Sequence, residues 1–457
     1  MENDIRQILR ENNVQENKIT DQLILKLIKN TNINTHLQSI LDAKQKIMEE
    51  AMLYKDKEEF REAHLMMKNA NSKQWYEFSF DMEKFPNIRI HKIGNLEQTG
   101  LHFENNTIKG TPMESNTFDL EVEFFHIDDT DHPEIKKIQL FVNADPKDLW
   151  KNIPSPEDAP FYKPEEASYK GTFLDKKIVI ASKRGRSHAH EGTFRDDDFA
   201  VNELSSSWSI ISVADGAGSA KIARYGSQLA TSSINNFFKN EAVLSEIEKN
   251  ISTVYSFENT DGKDLKTEAR QNIIRILYKG VVQVYTTLND KATESSFSIR
   301  DLHSTLIFAL VKKFSFGYVI LTFGVGDCPI NLIYPGFSGV KLLNQMDVGE
   351  FGGGTRFITM KEIFNENVSS RFEMTCVEDF SNLILMTDGI YDPKFVTENK
   401  LEDLESWKAF FQDLDGNNED GIRVDFENDD DIDKKLLQWS DFWSKGNHDD
   451  RTLVIIY

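Results

Sequence analysis

Cysteine is almost missing from this chain: Cys328 and Cys376 are the two in 457 residues. Two thiols build no disulfide framework and, alone, no zinc knuckle. Positive charge is also short. Against 75 Asp and Glu stand 53 Lys and Arg, a net charge of −22. A surface of that sign repels phosphate backbones, which argues against nucleic acid as a partner. No apolar run approaches the ~20 residues that span a bilayer, and MENDIRQILRENN lacks a basic-then-apolar leader. A cytoplasmic location without a membrane partner is the expectation. Proline and glycine are absent altogether from Met1 to Asn71.

What is present supports real cores. Hydrophobic residues make up 39 % and aromatics 11 %, with 32 phenylalanines, so wholesale disorder is excluded. The length calls for two or three domains. Residues 1–72 carry apolar side chains at helical spacing in ITDQLILKLIKN and LQSILDAKQKIMEEAMLYK, and Thr20 and Asn34 are expected as helix caps. This part is read as a packing or oligomerisation element, with the oligomeric state left open. From Trp75 the period shortens. YEFSFDM, IRIHKI, GLHFEN, TIKGTP, FDLEVEFFHI and IKKIQLFVN are short alternating runs between turn residues, the pattern of a small antiparallel sandwich over 75–145. The proline- and charge-rich stretch 146–170 reads as a linker. Residues 171–457 mix strands such as KKIVIAS, WSIISVAD, STLIFALV, NLILMTD and TLVIIY with helices such as IARYGSQLATSSINNFFKN and DKKLLQWSDFWSK. Several strands follow one another directly, which favours a layered α+β sandwich over a doubly wound sheet.

Aspartates close four turns in this last part: RDDDF at 195–199, ADGAGS at 214–219, MTDGI at 386–390 and HDDRT at 448–452. Gly216 and Gly389 follow two of them, where a glycine allows a sharp turn and a close backbone approach to an ion. Taken singly, each aspartate is best read as a turn cap. Four on strand ends of one domain, with no histidine or cysteine cluster beside them, point to a hard cation, Mg²⁺ or Mn²⁺, held by oxygen alone.

In that order ADGAGS, VGDC, LMTDGIYD and DDRTLVIIY resemble the motifs of the metal-dependent type 2C protein serine/threonine phosphatases. SKRGRSH…RDDDF is similar to the opening motif of their bacterial branch. The resemblance runs from about Lys177 to Tyr457 and implies a β-sandwich flanked by helices (αββα). It implies hydrolysis of protein phosphoserine and phosphothreonine by a hydroxide bridging two Mn²⁺ or Mg²⁺ ions about 4 Å apart. It places Asp215 as the bridging ligand, with the Gly216 carbonyl beside it and Asp388 and Asp449 on the shared ion. One of Asp196 and Asp197 belongs at the second ion, Asp450 just behind, and Asp301 near a third ion that some members bind. The family's eukaryotic members carry a general-acid histidine where this chain has Ala217 and Ser219, which leaves His188 as a candidate proton donor. Arg184, Arg186 and Arg195 are candidates for holding the phosphate, Arg186 foremost. The mechanism needs no thiol, so Cys328 and Cys376 are expected to be packed side chains. GEFGGGTRF at 349–357 resembles the bacterial flap segment, and with no Lys-Ser/Thr following it is no nucleotide loop. DLDGNNEDGIRV fails as a calcium loop, having Asn418 and Val424 where Gly and Glu belong.

In the front part, GLHFENNTIKGTP followed by FDLEV resembles the immunoglobulin-like domains of bacterial multidomain proteins, which implies a binding or spacer module. The expected partners are a phosphorylated protein and a cognate serine/threonine kinase. Two other functions are compatible with the motifs: a catalytically silent scaffold that binds phosphoproteins, and a small-molecule phosphatase of the same fold.

Overall fold

In the computed structural model the chain divides into two bodies, Met1–Leu149 and Trp150–Tyr457. Residues 1–255, 263–347, 355–365 and 368–457 are described. The GEFGGGTRF segment lies outside the described residues except for Thr355, Arg356 and Phe357.

The first body begins with helices Glu2–Glu11, Lys18–Ile28 and Thr31–Glu62. Their caps differ from expectation. Asn17 caps the second helix, with Thr20 as the reciprocal member of a capping box, and Asn30 caps the third. Asparagine is a stronger cap than threonine, which favours Asn17, and Asn34 lies inside the third helix, where its side chain donates to the Ile28 carbonyl. Two small sheets follow, one of Ala70–Asn71, Asp129–Asn143, Thr117–His126 and Ile88–Gly94, the other of Tyr76–Ser79, Thr107–Gly110 and Leu101–Glu104. They share one core with Phe60 of the long helix.

The second body is a sandwich of two antiparallel sheets. One orders its strands Asp198–Leu204, Trp208–Ala214, Leu306–Phe314, Gly317–Val325 and Phe372–Val377. The other runs Val340–Leu342, Ile330–Ile333, Asn382–Met386, Arg451–Ile456, Lys176–Lys183 and Glu166–Phe173. Apolar residues fill both faces of the central strands, and the period of two sorts them. Ile211, Val213, Ile307, Ala309, Ile180 and Val454 enter the core between the sheets. Ile210, Phe308 and Leu310 pack outward under helices Ala223–Phe238, Glu241–Tyr255 and Lys263–Glu294. Ala181, Leu453 and Ile455 pack outward under Asp388–Phe395, Leu404–Leu414 and Ile432–Trp439. The layers are therefore helix, sheet, sheet, helix, the α+β architecture expected of this part.

The expected linker 146–170 is not a spacer. Its last residues form the edge strand that starts at Glu166, and from Trp150 on it belongs to the second body. Arg184 explains why: its guanidinium donates to Asn152, to Ser155 and to the Thr193 carbonyl, pinning the stretch down. None of the described helices is long and apolar enough to cross a membrane.

Candidate active site

Strand direction gathers the acidic turns at one edge of the sandwich. Ala214 pairs with Asp198, and Leu306 pairs with Val325 just before Gly326-Asp327. In the other sheet Met386 pairs with Leu453, and Arg451 pairs with Lys183. Asp215, Asp327 and Asp388 thus leave strand ends where Asp196–Asp198 and Asp449–Asp450 enter.

Two glycines allow the turns to close up. A Cβ on Gly216 would stand 2.7 Å from the Asp196 carbonyl oxygen, and one on Gly389 would stand 1.9 Å from that of Asp450. Both distances are below any tolerable contact, so no larger residue fits at either position. Asp215 is fixed from behind: its N–H donates to Thr305 Oγ1 and its carbonyl accepts from the Thr305 N–H, both at 2.8 Å.

The carboxylates fall into two groups. Asp450 is satisfied internally. One oxygen accepts from the Gly185 N–H at 2.6 Å and from His188 Nδ1 at 3.0 Å, and the other accepts from the Asp196 N–H. Burial opposes its charge, but His188 and these donors outweigh burial and hold it below the usual carboxylate range. His188 responds in kind. Burial disfavours its cation, yet the charge and hydrogen bond of Asp450, with Asp196 and Asp449 beyond, push it up to about 10. Its Nε2 lies 3.9 Å from Asp196 Oδ2 and faces Gly218.

The other carboxylates are less fully partnered, with Asp196 Oδ1 accepting from the Arg224 N–H at 3.0 Å and Asp449 Oδ1 from the Asp450 N–H at 2.8 Å. Among the described residues, Asp197 Oδ1, Asp327 Oδ1 and Asp388 Oδ1 are buried with nothing to donate to them. The second oxygens of two of them are held: Asp197 Oδ2 by Thr387 and Thr452 at 2.8 and 2.7 Å, Asp327 Oδ2 by Thr355 at 2.8 Å. Burial first, then Asp388, Asp197, Asp449 and Asp327, raise Asp215 well above the normal range. Burial and then Asp449 do the same to Asp388. Burial and then Asp450 push both Asp196 and Asp197 up to about 7, and raise Asp449 as well. Buried carboxylates that repel one another and lack donors either take up protons or are held charged by an external cation. The carboxylates offer hard oxygen ligands, so they fit Mg²⁺ or Mn²⁺.

Two groups of ligand atoms lie within 4.8 Å of one another: His188, Asp449 and Asp450, and Asp215, Asp327 and Cys328. The sulfur is not a credible third ligand. Burial, then Asp215 and Asp327, push its thiol well up, and a protonated thiol binds hard cations poorly. Cys328 is packed in the core between the sheets, as expected of it.

Four sequence candidates have other partners. Asp301 uses its carboxylate to accept from the Ser298 N–H, closing the capping box of its own short turn. Arg186 donates to the Asp441 carbonyl and carboxylate and lies over the Trp443 ring. Arg184 is the buried pin described above, and Arg195 is likewise buried, on Ser182 and the Asp197 carbonyl. All three candidate arginines are thus engaged by protein groups in this structure. Asp327 was the omission. Its signal was legible in VGDC, an aspartate after glycine at the end of an apolar strand.

A model of the protein phosphatase 2C family matches residues 184–428, more than half of the 457. The chain belongs to the protein phosphatase 2C family. The family is one of metal-dependent phosphatases, and the layered sandwich with its acidic edge is the fold such a member should have. The serine/threonine phosphatase Stp1 from Staphylococcus aureus is similar at 15 % identity, over 63 % of this chain and 95 % of that one, with a TM-score of 0.35. The S. agalactiae serine/threonine phosphatase is similar at 14 %, over 63 % and 99 %, with a TM-score of 0.35. No curated protein matches the chain.

Proposed function

We infer that this phosphatase 2C removes phosphate from serine and threonine side chains of proteins, using two Mn²⁺ or Mg²⁺ ions at the acidic edge. The observation that carries this is the set of buried carboxylate oxygens on Asp197, Asp327 and Asp388 that no protein group satisfies. Asp215 and Asp449 complete the candidate ligands, with Asp196 and the Gly216 carbonyl beside them. Bound there, the ions would supply Lewis-acid stabilisation of the phosphoryl oxygens and a nucleophile drawn from water.

The chain's own residues do the rest. Thr305, Thr387 and Thr452 fix the carboxylates of the edge by hydrogen bonds to main chain or side chain. Asp450 accepts from His188 Nδ1, which favours the imidazolium form and turns the other ring nitrogen toward Gly218. In a chain with Ala217 and Ser219 in the ADGAGS turn, His188 is the proton donor to the leaving serine or threonine oxygen. The front body, an immunoglobulin-like sandwich behind helices, serves to recruit a phosphorylated protein or its kinase. The unpaired buried carboxylate oxygens argue against a silent scaffold, since they destabilise a protein that uses no cation.

The test is hydrolysis of p-nitrophenyl phosphate and of a phosphothreonine peptide by the full chain. Both should require Mn²⁺ or Mg²⁺ and stop with EDTA. Full activity in EDTA contradicts the reading, and hydrolysis of the aryl ester without the peptide points to a small-molecule substrate.

A further inference from the structure

The stretch 150–165 carries little regular structure, yet it is fastened along its length to the elements that hold the acidic edge. The Trp150 ring lies 4.4 Å from that of His448 and 5.3 Å from that of His190. The Ile153 N–H donates to the Ala189 carbonyl, and Ser155 Oγ to that of Thr193, both at 2.8 Å. Arg224, on the helix beside Asp196, donates to the Pro160 and Phe161 carbonyls at 2.9 Å each, and the Phe161 ring stacks on Tyr225.

The contact made by Lys163 differs in kind. It is 5 % exposed, and its ammonium sits directly behind the aspartate run. Nζ donates to the Asp197 carbonyl and lies 3.3 Å from Asp198 Oδ2 and 3.5 Å from Ser227 Oγ. The Ser227 hydroxyl in turn donates to the Asp196 carbonyl. An ammonium has three donors, and here each meets a group of, or bonded to, one of three consecutive aspartates. Arg195 reinforces the grip, donating to the same Asp197 carbonyl at 2.9 Å and to the Pro164 carbonyl at 3.2 Å. Burying an ammonium is costly unless it is fully paired, and a site needing only bulk is filled as well by leucine or methionine.

We propose that Lys163 is a positioning residue of the metal centre: it fixes the main chain of Asp196–Asp198, which sets the aim of the unpartnered Asp197 oxygen, and so couples docking of the 150–165 strap to metal binding. The proposal rests on the metal reading given above. Coupling of this kind is reciprocal, so whatever the docked strap does for metal affinity, bound metal does for the strap.

Mn²⁺ binding to the full chain, read by the electron paramagnetic resonance of free Mn²⁺, tests the first half. Lys163→Met should weaken binding about 10- to 100-fold, the scale typical of groups that orient metal ligands, and Lys163→Arg, which keeps the cation, should recover part of the loss. Hydrogen exchange of the wild-type chain tests the second half without any variant. Adding Mn²⁺ should slow the Ile153 amide, bonded to Ala189, more than the Val424 amide, bonded to Leu414. Wild-type affinity in folded Lys163→Met, or Arg as damaging as Met, overturns the proposal. Should Lys163→Met not fold, equal slowing at Ile153 and Val424 overturns it. A wild-type chain that binds no Mn²⁺ at all instead removes the metal reading beneath it.

Discussion

The two bodies treat buried charge in opposite ways. In Met1–Leu149, Lys57 donates to Asp129 at 2.7 Å and to the His132 carbonyl at 3.0 Å, Lys136 donates to the carbonyls of Arg61 and Ala63, and His126 meets Asp56 at 3.3 Å. Among the described residues of that body, no carboxylate oxygen is left buried without a donor. In Trp150–Tyr457 the cores between and outside the sheets are as complete, yet Asp197, Asp327 and Asp388 each keep such an oxygen. The front body has used its polar groups to hold its fold. The rear body has left a set of carboxylate oxygens unused at one sheet edge, and such a cluster of unsatisfied buried carboxylates points to a functional role.

The comparison breaks most sharply at Asp215. Asp215→Asn should lower turnover of p-nitrophenyl phosphate by at least about three orders of magnitude, several kcal/mol of transition-state stabilisation. Without metal it should melt no lower than wild type, because burial and neighbouring carboxylates already disfavour the Asp215 charge. Steady-state kinetics beside calorimetry decides both points, and near-wild-type kcat removes Asp215 from the centre. The converse change lies in the front body. Phe60, fully buried beside Phe85 and Phe124, should cost about 3 to 5 kcal/mol as Phe60→Ala. Denaturant unfolding should show that loss while hydrolysis of the small aryl ester stays unchanged. A parallel loss of activity would mean that the rear body depends on the front one for its chemistry. The smallest effect is expected at Asp301. Asp301→Ala removes a capping interaction, on the order of 1 kcal/mol, and should leave Mn²⁺ affinity within about twofold, well short of the change that follows loss of a group orienting a ligand. A larger drop in a Mn²⁺ titration would return Asp301 to the ligand set.

Strands buried on both faces were legible in the sequence because their apolar runs are continuous, as in WSIISVA and TLVIIY. The edge strand Glu166–Phe173 was not, since EASYKGTF is half exposed and its alternation of Ala167, Tyr169 and Phe173 with polar residues is carried by few strongly apolar side chains. The helix Glu241–Tyr255 was also missed, although Leu244, Ile247, Ile251 and Val254 repeat at helical spacing and are buried. At the site, the Asp-Gly turns pointed correctly to a shared edge, because the glycines needed for close approach mark such turns directly. Partnership is what sequence hides. Asp450 and Asp449 are adjacent and chemically identical, yet one is satisfied by His188 and three backbone N–H groups and the other has its charge disfavoured by burial. Arg184, Arg186 and Arg195 looked like phosphate ligands until their hydrogen-bond partners were visible. Lys163 lies in a stretch whose prolines and charges read as linker, and nothing local marks its burial.

The central claim is that the unpaired carboxylates at the sheet edge form a cation site. Isothermal titration of the metal-stripped full chain with Mn²⁺, beside Asp388→Asn, tests it most directly. Two ions should bind per wild-type chain, and at least one should be lost in the variant. A wild-type chain that takes up no Mn²⁺, or a variant that binds it with unchanged number and affinity, would contradict it.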